Sequence, residues 1–279
     1  MNLVLSEIRF KMFPEVWLFF LALQSSAFGA QPDFSQIFKG KDGCFILYDI
    51  KTKTTVASFN EKRCSERFVA CSTFKIPLAL MAFDKGLLKD ENSSMKWNGK
   101  KHAIDDWNHD QTAASWMKHS VVWFSQQLTP QLGMKAVKDF LRKFDYGNQD
   151  MSGGLTTAWL TSGSKPSLKI SAKEQVRFLE RLWSDELSVS KKAMELTRKV
   201  TYLETSPRGS VLHGKTGSTL PTDTQMGWFV GHVSNPSAIG HEYVFAVNFE
   251  HPTPKEGPKF AGYIAKGIAK DILSAMELL

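Results

Sequence analysis

A hydroxyl and an amine stand three residues apart at the start of an apolar segment. Ser72 and Lys75 lie in ACSTFKIPLALMAF, residues 70–83, where almost all the remaining side chains are apolar. Residues three apart share a helix face, so both side chains should point the same way from the first turn. A helix that is apolar all round belongs in the interior, where burial lowers the pKa of a lysine. A neutral Lys75 amine would be a base for the Ser72 hydroxyl.

The spacing alone carries little information. Ser-x-x-Lys begins at Ser72, Ser93, Ser115, Ser162 and Ser188. Only the first of these opens an apolar helix. The plain structural alternative is that Ser72 caps the helix while Lys75 reaches past its end to solvent.

Two further sequences carry groups that suit the same chemistry. Ser120-Val121-Val122 places a hydroxyl in another apolar segment, and Lys215-Thr216-Gly217-Ser218 precedes a strand-rich region. Each is common by itself and is more typical of an ordinary turn or strand edge. Their order and spacing along one chain favour a shared site.

The elements that must position these groups follow from hydrophobic periodicity. Strand-like runs cover 45–50, 55–60, 227–233 and 243–249. Helical patterns cover 136–144, 172–183 with Ser171 as its cap, and about 260–278. This order predicts an α+β fold, in which an antiparallel sheet is built from both chain ends and flanked by helices, with an all-helical lobe inserted.

Composition excludes several classes of function. The 279 residues are 42% hydrophobic and 23% charged, as in a globular protein with a full core, and we expect residues 30–279 to form one catalytic domain. The net charge is +7, but no Lys/Arg cluster interleaved with aromatics favours nucleic-acid binding. The seven histidines lack zinc-site spacings, so no metal is expected, and glycine-rich nucleotide loops are missing.

Residues 1–29 predict a secretory signal peptide. Arg9 and Lys11 precede a short apolar run at 17–23, and small residues follow up to Gly29. The run is too short to span a bilayer, although a retained N-terminal anchor is the alternative.

Export makes a disulfide plausible among the three cysteines. Cys44 and Cys64 flank the predicted N-terminal hairpin, and we expect this pair to be bonded. Cys71 should then be a small buried hydrophobic residue, or else the nucleophile itself.

Taken together, these motifs resemble those of class D serine β-lactamases, the oxacillinases of the penicillin-recognising enzymes. The matching residues are Ser72-Thr73-Phe74-Lys75, Ser120-Val121-Val122, Tyr146-Gly147-Asn148, Trp159 and Lys215-Thr216-Gly217. Class A enzymes and penicillin-binding proteins have asparagine at the last position of the middle motif, so Val122 favours class D. The resemblance extends over nearly all of the chain after residue 29.

The resemblance implies hydrolysis of β-lactam antibiotics, and hence resistance, in the periplasm of a Gram-negative bacterium. Ser72 would form an acyl-enzyme, with its own backbone N–H and that of Ser218 as the oxyanion hole. In this family the lysine equivalent to Lys75 carries a carbamate made from carbon dioxide, which serves as the general base. No other cofactor is implied.

Supporting roles follow from the same resemblance. Trp159 would donate its indole N–H to the carbamate, and Val122 would form the dry wall beside it. Tyr146 and Asn148 would shape the loop that bears Trp159, although a simple turn explains them equally well.

The other motif residues would handle the substrate. Ser120 would relay a proton to the lactam nitrogen, and Lys215 would supply positive potential near the substrate carboxylate. Further substrate contacts would come from Thr216, Gly217 and Ser218.

One position departs from the family pattern. Many class D enzymes hold the carboxylate with an arginine near the start of the last helix, where this chain has Ala261. The nearest cation is Lys259, which lacks the planar fork of arginine.

Two alternative functions share the acylation step. A cell-wall transpeptidase or carboxypeptidase would release its acyl group slowly, and the length of the chain and Val122 count against it. A non-hydrolytic antibiotic sensor would stay acylated, but it must signal across a membrane, and no spanning segment follows residue 30.

Overall fold

A computed structural model describes residues 32–162, 165–220, 222–234, 241–253 and 260–279. The predicted signal peptide at 1–29 and Lys259 lie outside the described residues. Within the described ranges, none of the helices combines the length and apolar character needed to cross a membrane.

The described part of the chain alternates between strands and helices. The strands are β1 (Asp42–Asp49), β2 (Thr54–Phe59), β3 (Phe68–Val69), β4 (Ser94–Met95), β5 (Gln111–Thr112), β6 (Lys169–Ile170), β7 (Tyr202–Thr205), β8 (Val211–Ser218), β9 (Thr224–Ser234) and β10 (Glu242–Pro252). The helices are α1 (Phe34–Ile37), α2 (Glu61–Ser65), α3 (Lys75–Asp84), α4 (Ala113–His119), α5 (Val122–Leu132), α6 (Met134–Phe144), α7 (Ala172–Trp183), α8 (Lys191–Val200) and α9 (Ala261–Ala275).

The main sheet confirms the predicted α+β architecture. Its strand order is β2-β1-β10-β9-β8-β7, so strands from both chain ends meet in its middle. β1 pairs with β10 and β8 pairs with β9, both antiparallel. Two short two-stranded sheets, β3-β6 and β4-β5, lie outside it.

The sheet separates two hydrophobic cores because successive side chains of a strand point to opposite faces. Along β10, Val244 and Ala246 join the core shared with α3 and the helical lobe. Phe245 and Val247 join the core that packs under α9. β10 is therefore buried on both faces, which explains its nearly continuous apolar sequence.

Local signals in the sequence located the helices well. Ser171 and Glu174 form a capping box at the start of α7, which begins where the pattern predicted. The apolar segment forms one turn of 3₁₀ helix at Cys71–Phe74, followed by α3. Every residue of α3 from Lys75 to Phe83 is buried.

The cysteine prediction was wrong in one respect. Cys44 and Cys64 are free, buried thiols, so the expected disulfide is not formed in the structure. The fold does bring them together, since a hydrogen bond with Cys64, followed by burial, raises the pKa of the Cys44 thiol. The Cys64 thiol also lies 3.5 Å from the Phe45 carbonyl, so it has a hydrogen-bond acceptor without bridging.

Candidate active site

A cleft of about 580 Å³ opens where the turn before α3, the junction of α4 and α5, strand β8 and the start of α9 meet. Seven of the residues predicted from the sequence line it: Ser72, Ser120, Val122, Trp159, Thr216, Gly217 and Ser218. Lys75 and Lys215 are buried beside it, each in contact with a lining residue. Residues more than 140 positions apart therefore form one site.

Ser72 and Lys75 form the pair that their spacing predicted. A 3₁₀ turn has three residues per turn, so side chains at i and i+3 lie directly above one another. The Lys75 Nζ is 3.2 Å from the Ser72 Oγ. Ser72 is partly accessible in the cleft, whereas Lys75 is fully buried.

The capping alternative is wrong. The position before α3 is Phe74, and no side chain makes a capping hydrogen bond there or at the preceding 3₁₀ turn. Lys75 does not reach solvent either, because its exposed fraction is 0%.

Burial lowers the pKa of the Lys75 amine. Removal from water disfavours the ammonium form, and the nearby charge of Lys215 adds to the effect, so the pKa of Lys75 lies well below its ordinary value. This shift favours the neutral amine, which has a lone pair that can accept a proton. Proton transfer from the Ser72 hydroxyl is then feasible over the observed distance.

Cys71 supports this turn rather than reacting. It is buried, and its backbone is left-handed with φ +49°, a conformation rarely adopted by non-glycine residues. Burial raises the pKa of its thiol to about 12, which leaves it protonated at neutral pH. Gly217 allows β8 to approach closely, since a Cβ there would lie 3.2 Å from that of Cys71.

Trp159 presents an unusual buried donor. The side chain is fully buried, and its ring centroid lies 4.8 Å from that of Phe74. Its indole N–H has no hydrogen-bond partner among the described residues. In contrast, the indoles of Trp116, Trp123 and Trp228 all donate to protein oxygens. Leaving a buried donor unpaired costs free energy. This N–H is therefore a candidate hydrogen-bond donor to an acceptor group bound or attached within the site.

The Tyr-Gly-Asn motif holds the loop that carries Trp159. Asn148 donates from its side chain to the Ser167 carbonyl at 2.7 Å and accepts from the Lys169 backbone N–H at 2.9 Å. Gly147 has φ +56°, and a Cβ there would lie 2.1 Å from the Lys169 carbonyl oxygen. The motif thus joins the start of the loop, at Asn148, to its end, at Ser167 and Lys169. A simple turn would not make these contacts across the loop.

Ser120 and Val122 lie where α4 ends and α5 begins. Ser120 follows α4 in a left-handed conformation with φ +58°, which directs the chain into α5. Both side chains line the cleft opposite β8. Val122 packs against the hydrophobic core that contains Phe74 and Trp159.

Lys215 and its neighbours form the β8 wall. The Lys215 ammonium donates to the Thr216 carbonyl at 3.0 Å and lies 3.3 Å from the Thr216 hydroxyl. Burial lowers its pKa to about 7. Ser218 accepts a hydrogen bond from the Gly262 N–H at 2.8 Å, which joins β8 to α9 and leaves the Ser218 hydroxyl hydrogen free to donate.

The candidate carboxylate ligand from the sequence, Lys259, lies outside the described residues. Ala261 is fully buried at the position where the family pattern has arginine. The sequence reasoning also missed several lining residues on the rim: Ile104, Asp106, Trp107, Lys118, His119, Leu160, Leu220, Phe260 and Tyr263. No motif marks these residues, although Lys118 lies only two positions before Ser120.

Across the described ranges, no group of three or more His, Cys, Asp or Glu side chains is placed to hold a metal ion.

The chain is similar to penicillin-binding and β-lactamase proteins. The family model of the penicillin-binding protein transpeptidase domain matches residues 43–274. β-Lactamase OXA-1 of Escherichia coli is 42% identical over 219 residues, covering 76% of this chain and 77% of the relative. The methicillin resistance mecR1 protein of Staphylococcus aureus is 34% identical over 87% of this chain, which spans only 39% of that protein.

A solved structure shows the same fold. The class D β-lactamase of Bacillus subtilis superposes with a TM-score of 0.79 and 35% sequence identity. The alignment covers 89% of this chain and 97% of that one.

Proposed function

Because the chain belongs to the class D serine β-lactamases, within the transpeptidase domain family of penicillin-binding proteins, we propose that it hydrolyses β-lactams with Ser72 as nucleophile and a carbamylated Lys75 as general base. The observation that carries this proposal is the buried Lys75 amine, its pKa lowered by burial, 3.2 Å from the Ser72 Oγ. The unpaired Trp159 N–H supports it, because the Trp159 ring packs against Phe74, the residue before Lys75.

In the proposed acylation step, Ser72 is the nucleophile and Lys75 accepts its proton. The Ser72 Oγ attacks the lactam carbonyl carbon while its proton is taken up at the Lys75 side chain. The C–N bond of the ring then breaks, and Ser120 relays the proton held at the Lys75 side chain to the departing nitrogen, so that both side chains return to their starting protonation states. The result is an ester between Ser72 and the opened substrate, which water hydrolyses in a second step.

Charge stabilisation comes from the close packing of β8 on the turn before α3. The backbone N–H groups of Ser72 and Ser218 would bind the oxygen that becomes negative in the transition state. Gly217 supports this role because its missing side chain lets β8 approach the nucleophile turn. Donors held by the fold need no reorganisation during the reaction.

The residues around Lys75 fit a carbamate. A neutral amine can add carbon dioxide, and a buried site protects the product from water. Trp159 would donate its indole N–H to the new carboxylate oxygens, and Val122 would exclude water beside it. When bound, the carbamate supplies the general base for acylation and for the deacylating water.

A labelling experiment tests this directly. Protein incubated with ¹³C-bicarbonate should show one carbamate carbon signal by NMR, and the signal should be lost in Lys75→Met. Turnover of a chromogenic cephalosporin by a dilute, acid-treated sample should rise when bicarbonate is added. No carbamate signal and a flat bicarbonate response would contradict the proposed base.

The alternatives differ in the fate of the acyl-enzyme. A non-hydrolytic sensor, or a slow transpeptidase, would be acylated and remain so. Mixing with an excess of benzylpenicillin distinguishes them. Hydrolysis of many equivalents supports a β-lactamase, whereas product that stops near one equivalent supports a sensor or a slow transpeptidase.

We further propose that the protein acts in the periplasm and confers resistance. The signal-like sequence at residues 1–29 supports export. In Escherichia coli, the full-length chain should raise the inhibitory concentration of penicillins. A chain lacking residues 2–29 should not, although its lysate should hydrolyse them.

A further inference from the structure

The described walls of the active-site cleft hold little positive charge for an anionic substrate. Penicillins and cephalosporins carry a carboxylate on the fused ring, so the cleft must accept at least one negative charge. Among the described lining residues, Lys118 is the only lysine or arginine. The position of the family's arginine is held by the buried Ala261.

Lys215 is a poor substitute for that arginine. Its side chain is only 3% exposed, and its nitrogen already contacts two oxygens of Thr216. Burial lowers its pKa to about 7, so a large share of the population is uncharged at neutral pH. An exposed, unpaired cation elsewhere on the cleft wall would bind the substrate carboxylate more readily than Lys215.

Lys118 has the properties that Lys215 lacks. It lies in the last turn of α4, two residues before Ser120, and its side chain is exposed at the mouth of the cleft. No hydrogen bond or ion pair holds it within the part of the chain that the structure describes. Asp106 is the acidic residue among the described lining residues, and its carboxylate is already engaged, 2.9 Å from the Nδ1 of His119.

We propose that Lys118 is the cleft cation that binds a substrate carboxylate, taking over the task of the missing arginine; this inference rests on the proposed β-lactamase function. Its long, flexible side chain can follow a carboxylate at the rim. Because Lys118 is exposed, it acts mainly on binding, and salt should weaken its effect. The carboxylate is either the one on the fused ring or one on the acyl side chain.

Charge reversal with a matched control tests the proposal. Lys118→Glu and Lys118→Met are compared with Lys101→Glu, which changes the net charge equally at an exposed lysine that does not line the cleft. The substrates are benzylpenicillin, which has the ring carboxylate alone, and carbenicillin, which has a second carboxylate on its side chain. KM and kcat are measured at low salt and with 0.5 M NaCl.

The proposal makes KM the affected parameter. Lys118→Glu should raise KM by roughly three- to tenfold at low salt, Lys118→Met by less, and Lys101→Glu by less still, with kcat nearly constant. An equal rise for both penicillins assigns Lys118 to the ring carboxylate. A larger rise for carbenicillin assigns it to the side chain.

Equal KM values for Lys118→Glu and Lys101→Glu with both substrates would overturn the inference while leaving β-lactam hydrolysis intact. If the unaltered protein is acylated without turnover, the proposed hydrolytic function is wrong, but the role of Lys118 can still be tested. The second-order rate constant of acylation, followed by intact-protein mass spectrometry, then replaces KM in the same comparison. Absence of acylation in the unaltered protein would overturn both.

Discussion

Two buried lysines face the same cleft from different regions, and they differ in what surrounds the nitrogen. Lys75, in the first turn of α3, has the Ser72 hydroxyl as its hydrogen-bond partner. Lys215, on β8, has the carbonyl and hydroxyl oxygens of Thr216. Burial lowers the pKa of both, but that of Lys75 also falls because of the charge on Lys215.

The difference explains how one side-chain type can take two roles. A carbonyl oxygen accepts hydrogen bonds from an ammonium group and so favours the charged form. On this argument Lys215 would keep part of its positive charge, as its proposed role toward the substrate carboxylate requires. Lys75 has no carbonyl partner among the described contacts, and its neutral form can act as a base. Four predictions test this contrast, beginning with the largest expected effect.

Lys75→Met should remove the base while filling the same space. We expect kcat/KM for a chromogenic cephalosporin to fall by about a thousandfold or more, because general-base catalysis contributes about 10²–10⁴-fold in enzymes. The melting temperature should stay the same or rise, since an apolar side chain replaces a buried amine. Steady-state kinetics and a thermal melt measure both, and turnover near that of the unaltered protein would show that Lys75 is not the base.

Trp159→Phe should trap the acyl-enzyme. The substitution keeps an aromatic ring against Phe74 but removes the unpaired N–H. We expect deacylation to slow by about a hundredfold, the size of effect seen when a single hydrogen-bond donor to a catalytic anion is removed. Intact-protein mass spectrometry during benzylpenicillin turnover should show the acylated form accumulating.

Trp116→Phe is the matched control. Trp116 is equally buried in the same core, but its N–H is satisfied by Ser125 and it does not line the cleft. It should lose stability and keep fast deacylation. Equal accumulation in both variants would mean that packing, not the Trp159 N–H, is what matters.

The buried Lys215 should make stability depend on pH. Above about pH 7 the folded protein releases the proton, whereas the unfolded chain keeps it up to about pH 10.5. The unfolded state then binds more protons, so this lysine makes the free energy of unfolding rise with pH by up to about 1.4 kcal/mol per pH unit. Urea unfolding at pH 7, 8 and 9 should show a steeper rise in the unaltered protein than in Lys215→Met. A constant difference between the two would contradict the low pKa.

His213, two residues earlier on β8, should give a smaller effect at acid pH. Burial, followed by the charge of His232, lowers its pKa to about 4, while Glu242 opposes the shift and Arg198 adds to it. Between pH 6.5 and 4 the unfolded chain binds the extra proton, so folding stability is lost as the pH falls. His213→Phe should keep roughly 1 kcal/mol more of its neutral-pH stability at pH 5. Thermal melts at pH 7 and 5 test this, and parallel losses in both proteins would count against it.

Features that depend on neighbours along the chain were predicted well. The bounds of α7 and its Ser171 cap, and the strands at both chain ends, all matched the apolar periodicity. The Ser72 and Lys75 pair also followed from spacing. The bonding state of the cysteines was predicted less well. Cys44 and Cys64 lie close together as predicted, but both are free thiols.

By itself, the sequence determined the elements and the order of the reactive groups along the chain, because helix and strand periods are set by residues close in sequence. Only the tertiary structure decided which groups lose their partners and which keep them. The indole N–H of Trp159 is left unpaired, Lys215 contacts Thr216, and Lys118 stands at the rim. The apolar pattern predicted that Lys75 would be buried, but the hydrogen-bond partners of a buried group depend on contacts between segments far apart in the chain, and local patterns do not specify those contacts.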